Sequence, residues 1–257
     1  MFSFQAVIPP DDMMMTKRNI LRKIATIFDP LGFLAPVIIR AKILMQEIWA
    51  SSATWDEVLP VKLSSRCRQW FQDLLALSSI QVPRCLQAIA GATPQDVELH
   101  VFGDASELAY GAVIYQRIRY ASGEISTVFV SAKSRVSPTT ATSIPRLELM
   151  AAVLGVEMAN EVAKVLQINP QNIIYWTDSM DVIWWIRGRS RLFKTFVANR
   201  VSTIHQASSP DQWRYVPTAE NPADIVSRGC APTSLTPDSM WWTGPSFMAK
   251  PSDDWPV

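Results

Sequence analysis

Apolar residues change their spacing along the chain, and each change marks a different kind of element. Between residues 16 and 28, Ile20, Ile24 and Ile27 recur at helical spacing with Leu21 and Phe28 beside them, until Asp29-Pro30 and Gly32 interrupt. A second helix is expected to carry Ile39, Ile43, Leu44 and Ile48 on one face, and a third to carry Leu63, Cys67, Trp70, Leu74 and Leu77. Residues 13–78 therefore read as helical and core-forming. That period is lost from Pro83 to Pro94, where Gly91 joins the prolines, so a linker is expected there.

From Val97 the spacing becomes that of strands: VELHVFGD, AYGAVIYQRI and ISTVFVSAKSRV, the last two joined at Ser122-Gly123. Pro145 opens a long helix whose Leu147, Met150, Leu154, Met158, Val162 and Val165 recur at three and four residues. The strand NIIYWTD then runs into a helix holding Val182, Ile183 and Ile186. A further helix is expected from Phe193 to about His205, then a short strand WRYVP and a helix opening at Asn221-Pro222. Three strands, helix, strand, helices, strand, helix is an α/β layer order with mixed pairing. The tail from Gly229, rich in Pro and Trp, has no period and reads as an extension.

Composition narrows the function classes. An apolar fraction of 48% over 257 residues is enough to bury a core, and a net charge of +1 means that any basic surface must be local. Three scattered cysteines without a CxxC pair, and only His100 and His205, exclude a thiolate or imidazole zinc site and point to reduced thiols. The N-terminus lacks the pattern of a secretory leader, and the densest apolar run, LGFLAPVIIRAKILM, is too short and too interrupted to span a bilayer.

Four acidic residues then stand out, because Asp104, Glu148, Asp178 and Asp224 each sit at a strand end or near a helix start. Each has a bland reading: an Asx turn for Asp104, a solvated helix position for Glu148, an N-cap for Asp178, and a near capping box for Asp224. Converging from separate elements, however, four carboxylates would need a cation, and oxygen donors of this kind suit Mg²⁺ or Mn²⁺. Asp181 and Glu220 are the substitutes should one of the four point elsewhere. No acidic residue lies between Val182 and Pro210, while Arg187, Arg189, Arg191, Lys194 and Arg200 do. Lys133, Arg135 and Arg146 make a second acid-free run. Such tracks are ordinary solvated faces or the footing of a polyanion. Trp184 and Trp185 offer stacking surfaces or core packing.

The runs FGDAS, AYGAVIY, SIPRLELMAAV, YWTDSMDVIWWI, TFVANRV and WRYVPTAENPADIVSRG resemble the ribonuclease H domain of Bel/Pao-type LTR retrotransposon polyproteins. The N-terminal TKRNILRKIATIFDPLGFLAPVIIRAKILMQEIW resembles the segment after the reverse-transcriptase palm of the same elements, and WWTGPSF the segment after their ribonuclease H. The resemblance implies an α/β, ribonuclease H-like fold, with a five-stranded mixed sheet flanked by helices and a small helical subdomain before it. It divides the chain into a connection-like segment 1–95, a nuclease domain 96–229 and an extension 230–257. Asp104, Glu148, Asp178 and Asp224 fall on the metal-binding positions, for two Mg²⁺ ions with Mn²⁺ as a substitute. The implied substrate is an RNA/DNA hybrid, cut to leave a 3′-hydroxyl and a 5′-phosphate. Ser106 and the basic run Arg187, Arg189, Arg191, Lys194 and Arg200 are the expected substrate contacts.

Many relatives carry a histidine before the last aspartate; here that neighbourhood reads WRYVPT, with Tyr215 as the occupant, as in LTR enzymes that lack the histidine. The family is also labelled a retrotransposon peptidase, yet no Asp-Thr-Gly or Asp-Ser-Gly motif is present, and no Tyr-x-Asp-Asp polymerase motif either. Further partners implied are the palm and integrase parts of a parent polyprotein, with no membrane. The implied location is the cytoplasm, including virus-like particles, with nuclear entry allowed. A non-catalytic nucleic-acid-binding or scaffold remnant is the alternative. The basic run makes a prediction of its own: replacing Arg189, Arg191 and Lys194 together by neutral residues weakens duplex binding and flattens its salt dependence. The slope should change by about one unit per lost phosphate contact, read from a salt titration of hybrid binding.

Overall fold

The computed structural model describes residues 1–5, 8–86, 89, 91–188 and 193–256. Three helices dominate the N-terminal part: α1 (Lys17–Ile24), α2 (Ala35–Ala50) and α3 (Val61–Asp73). Thr16 caps α1 by accepting from the Asn19 N–H, and the Asp29 carboxylate accepts from the Phe33 and Leu34 N–H groups as the chain enters α2. The break expected at Asp29-Pro30 is thus a built turn. Two short strands outside the expected pattern, β1 (Phe2–Ser3) and β2 (Gln81–Val82), pair antiparallel. Elements of two residues leave no periodicity to read.

The central sheet holds β3 (Pro94–Ala105), β4 (Ala109–Tyr120), β5 (Ile125–Val136), β6 (Ile173–Thr177) and β7 (Trp213–Tyr215), in the order β5-β4-β3-β6-β7. The first three form an antiparallel meander, and β6 and β7 join parallel to β3. This is the five-stranded mixed sheet expected. Its strands alternate: Leu99 and Val101 face one layer, Phe102 and Trp176 the other.

On the first face lie α4 (Ile144–Leu166), α5 (Met180–Arg187) and α6 (Thr195–Ala207). The buried side of α4 includes Ala151, Ala152, Gly155, Ala159 and Ala163, small residues that bring its backbone down onto the sheet. Val165, expected in the apolar stripe, is exposed. On the second face α7 (Ala223–Arg228) lies against β4 at Gly111, where a Cβ would meet Val226 at 2.6 Å. Beyond it, α2 packs over α7 and β5, with Lys42 Nζ donating to the Ser134 carbonyl at 2.8 Å.

One apolar cluster on this second face joins the N-terminal helices, the sheet and the tail. The tail holds α8 (Met240–Thr243) and 3₁₀ turns at Pro232–Ser234, Ser246–Ala249 and Ser252–Asp254. Trp241 is fully buried, its indole donating to the Phe33 carbonyl at 2.9 Å. Buried Arg117 of β4 donates to the Met248 and Lys250 carbonyls and to Glu98, and Trp255 packs edge-on against His100. His100 Nδ1 accepts from the Trp176 indole, so Nε2 carries the proton and faces Glu98. Burial holds that imidazole below its ordinary pKa. No helix among the described residues is long and apolar enough to cross a membrane. Trp241→Ala should cost about 3–5 kcal/mol, as for other large-to-small core changes, measured by denaturant unfolding.

Candidate active site

Parallel pairing of β3 with β6 sets Phe102 beside Trp176. Two residues further along each strand come Asp104 and Asp178, on the same face at the same end of the sheet. Glu148 reaches this end from the second turn of α4, whose Pro145 fixes the start of the helix. The result is three carboxylates from three elements, each offering an oxygen within 4.8 Å of the others.

The surroundings hold this cluster in place. Ser227 of α7 donates its hydroxyl to Asp104 Oδ2. Asn221, wholly buried, donates through Nδ2 to the Gly103 carbonyl and to Asp178 Oδ1, both at 3.2 Å, while its Oδ1 accepts from the Ala223 N–H. A single amide therefore caps the turn into α7 and ties β3 to Asp178. The capping role considered for Asp178 belongs to Ser179, which accepts from the Val182 N–H. Glu148 is not solvated: it is 8% exposed, and its buried Oε2 has no hydrogen-bond partner among the described residues.

Burial raises the Asp104 carboxyl to about 7, with the charges of Asp178 and Asp224 adding to the rise and the Ser227 hydroxyl opposing it. Burial likewise raises Glu148 to about 9, helped by Asp104 and Asp178. Crowded oxygens, a buried orphan acceptor and carboxyls that resist ionisation are what a divalent cation would relieve, and the all-oxygen donor set suits a hard ion.

Asp224, the fourth expected ligand, is not among the three clustered residues. It lies in the first turn of α7, where Arg228 donates to its Oδ1. Asp181 is exposed on α5, Glu220 is half-buried in a single 3₁₀ turn, and neither belongs to the cluster. Ser106 is engaged in the turn between β3 and β4, its Oγ accepting from Ala109 N–H and donating to the Ser227 carbonyl at 2.9 Å. Tyr215 pairs with Thr177 across the β6–β7 ladder, next to Asp178 in the chain.

Of the basic run, Arg187 and Lys194 are exposed, whereas Arg189 and Arg191 lie outside the described residues. Arg200 is half-buried, its guanidinium 3.5 Å from the Phe196 ring centroid and bonded to the Phe196 carbonyl. Arg146 approaches the same ring from α4, two residues before Glu148. Trp184 is 73% exposed, while Trp185 packs against the first core. Sequence reasoning missed Asn221 and Ser227 as parts of the site; Asn221 was visible only as a helix cap, and nothing local marked Ser227.

The model of the Pao retrotransposon-like RNaseH-like domain matches residues 16–179, over half of the chain. The chain belongs to this family. The match takes in the N-terminal helices, the meander, α4, β6 and the three clustered carboxylates, and ends before β7 and α7. No curated protein matches the sequence. Among solved structures, the N-terminal RNase H domain of a Mycobacterium tuberculosis protein, fused to maltose-binding protein, is 15% identical. It aligns over 52% of this chain and 94% of its own, with a TM-score of 0.37. RNase H1 from the archaeon Halobacterium salinarum is 14% identical over 51% of this chain and 92% of its own, with a TM-score of 0.29. A foamy viral protease-reverse transcriptase, solved with double-stranded DNA, is 13% identical over 84% of this chain and 42% of its own, with a TM-score of 0.30. The ribonuclease H-like fold of this family member rests on its sheet order and on the family match.

The raised carboxyls make stability fall with pH in the absence of metal. Unfolded Asp and Glu lose their protons near pH 4, whereas Asp104 keeps its proton to about 7 and Glu148 to about 9. Between those limits the folded chain binds more protons than the unfolded one, so raising the pH favours unfolding. Asp104→Asn removes its share of this cost, at most a few kcal/mol. The variant should melt higher than the parent at pH 8 in a chelator, with the difference vanishing near pH 4.

Proposed function

We propose that the chain is a divalent-metal-dependent endoribonuclease that cuts the RNA strand of an RNA/DNA hybrid. The observation that carries this reading is the convergence of Asp104, Glu148 and Asp178 within 4.8 Å at the end of a ribonuclease H-like sheet. Asp104, Glu148 and Asp178 would hold the ions, Mg²⁺ or Mn²⁺, with Asp224 at their margin. When bound, such ions activate a water and stabilise the leaving oxygen of a phosphodiester.

The chain's own groups supply position. Ser227 fixes the rotamer of Asp104, and Asn221 fixes Asp178 against β3. Glu148 enters from α4 with an oxygen left open for a ligand. Exposed Arg187 and Lys194, with the Arg146–Phe196–Arg200 cluster, supply positive charge and an aromatic face on the helical layer beside the site, suited to a polyanion. A hybrid offers 2′-hydroxyls on one strand alone, which distinguishes it from duplex DNA and duplex RNA. Parts of a parent polyprotein, palm and integrase, are the further partners we propose, and the cytoplasm the place of action.

The test is cleavage of a hybrid labelled on its RNA strand, with single-stranded and double-stranded RNA as controls. Cutting should require Mg²⁺ or Mn²⁺ and be confined to the hybrid. Asp104→Asn and Asp178→Asn should bring it down to the level seen in a chelator while the fold persists, since an amide keeps the shape and removes the charge. Undiminished cutting by both variants would overturn the assignment. A folded parent that binds hybrid without cutting it would make the chain a binding remnant.

A further inference from the structure

Asp224 differs from the other three carboxylates in its partner. Asp104 and Asp178 accept from neutral groups, a serine hydroxyl and an asparagine amide, and Glu148 Oε2 accepts from none of the described residues. Among the described residues Asp224 alone of the four is engaged by a cation: Arg228, one turn later on the same helix, donates to it through Nε. The guanidinium also acts electrostatically on Asp104 and Asp178, so a positive charge already stands at the mouth of the cluster.

We propose that Arg228 is the resident counter-ion of the fourth carboxylate and competes for it with a divalent cation, so that complete loading of the site requires Asp224 to exchange Arg228 for metal. This rests on reading the cluster as a metal site.

Three features support the exchange. First, the backbone that carries both residues is pinned. Gly229 ends α7 at φ +75°, the Cys230 N–H donates to the Pro36 carbonyl of α2 at 3.1 Å, and a Cβ at Gly229 would meet Pro36 O at 3.0 Å. Helix α7 is therefore held against α2, so a change of partner at Asp224 is a movement of side chains, its own or that of Arg228, and not of the helix. Secondly, the pair is half in water, with side-chain exposures of 66% for Arg228 and 30% for Asp224. Such pairs are weak and easily exchanged. Thirdly, Arg146 and Arg200 both face the Phe196 ring, whereas Arg228 donates directly to one of the four carboxylates.

Removing the guanidinium should strengthen metal binding, because the cation would no longer compete with a resident charge. The experiment is calorimetric titration of Mn²⁺ into the full chain without nucleic acid. Arg228→Ala, and Arg228→Gln as a second neutral variant, should bind Mn²⁺ up to about five-fold more tightly than the parent, the size expected of giving up one largely exposed ion pair. Arg228→Lys, which keeps the charge, should stay close to the parent. The gain should shrink as KCl is raised. Far-UV circular dichroism verifies the fold of each variant. Mn²⁺ affinity that is unchanged or reduced in both neutral variants would overturn the exchange. Asp104→Asn reports separately on the underlying reading: if that variant binds Mn²⁺ as the parent does, the metal site itself is wrong. If it loses binding while the neutral Arg228 variants match the parent, only the counter-ion role falls.

Discussion

The parallel pairing of β3 with β6 is the constraint on which the rest of the site depends. Side chains alternate along a strand, so a register shift of one residue would turn Asp178 to the helical face and leave Asp104 alone on the other. The register is held from both faces. Leu99, Val101, Ile173 and Tyr175 are packed under α4 and α5, and Phe102 and Trp176 stack at 5.9 Å on the opposite side. Core packing along the strands thereby fixes the chemistry at their ends.

Helix α7 gives that arrangement its second layer of support. It is six residues long and too short to persist by itself. Gly111 beneath it and α2 above it hold it in place, and from that position Ser227 touches Asp104 while Asn221, just before it, reaches Asp178. The N-terminal helices therefore support the candidate site indirectly, through α2 on α7. One apolar cluster runs from Met15 through the sheet to Trp255, and beside it Lys42 and Gln46 of α2 donate to the Ser134 and Ser137 carbonyls.

Much of this was legible in the amino-acid sequence, and the reasons are physical. Strands β3 to β5 alternate or run apolar between turn residues, and β5 has the bounds read from its pattern. Carboxylates at element junctions were visible because a strand end and a helix start both have local signatures. What stayed hidden depends on tertiary contact. The face of α4 that meets the sheet is built from Ala151, Ala152, Gly155, Ala159 and Ala163, which carry little hydrophobic signal, so the large residues suggested a stripe that extends to exposed Val165. Burial of Glu148 follows from that close approach and could not be seen from a polar residue beside an apolar stripe. Ser227 touches Asp104 across 123 residues, and no local pattern encodes such a contact. The Asp224–Arg228 pair, by contrast, is a plain i, i+4 spacing that the sequence carries openly.

The bond between the Trp241 indole and the Phe33 carbonyl spans 208 residues. A ribosome makes the chain from one end, so the helices and the whole sheet emerge before the tail that covers them. Until then Tyr115 and Phe129 lack their cover of Trp241, and Arg117 lacks its carbonyl partners at Met248 and Lys250. Contacts this distant in sequence close slowly, and the open intermediate displays an aromatic surface prone to association. Nascent chains of this protein should therefore pass through a sticky stage in which holdase chaperones find their substrate, and residues 230–256, once synthesised, act as the latch that ends it.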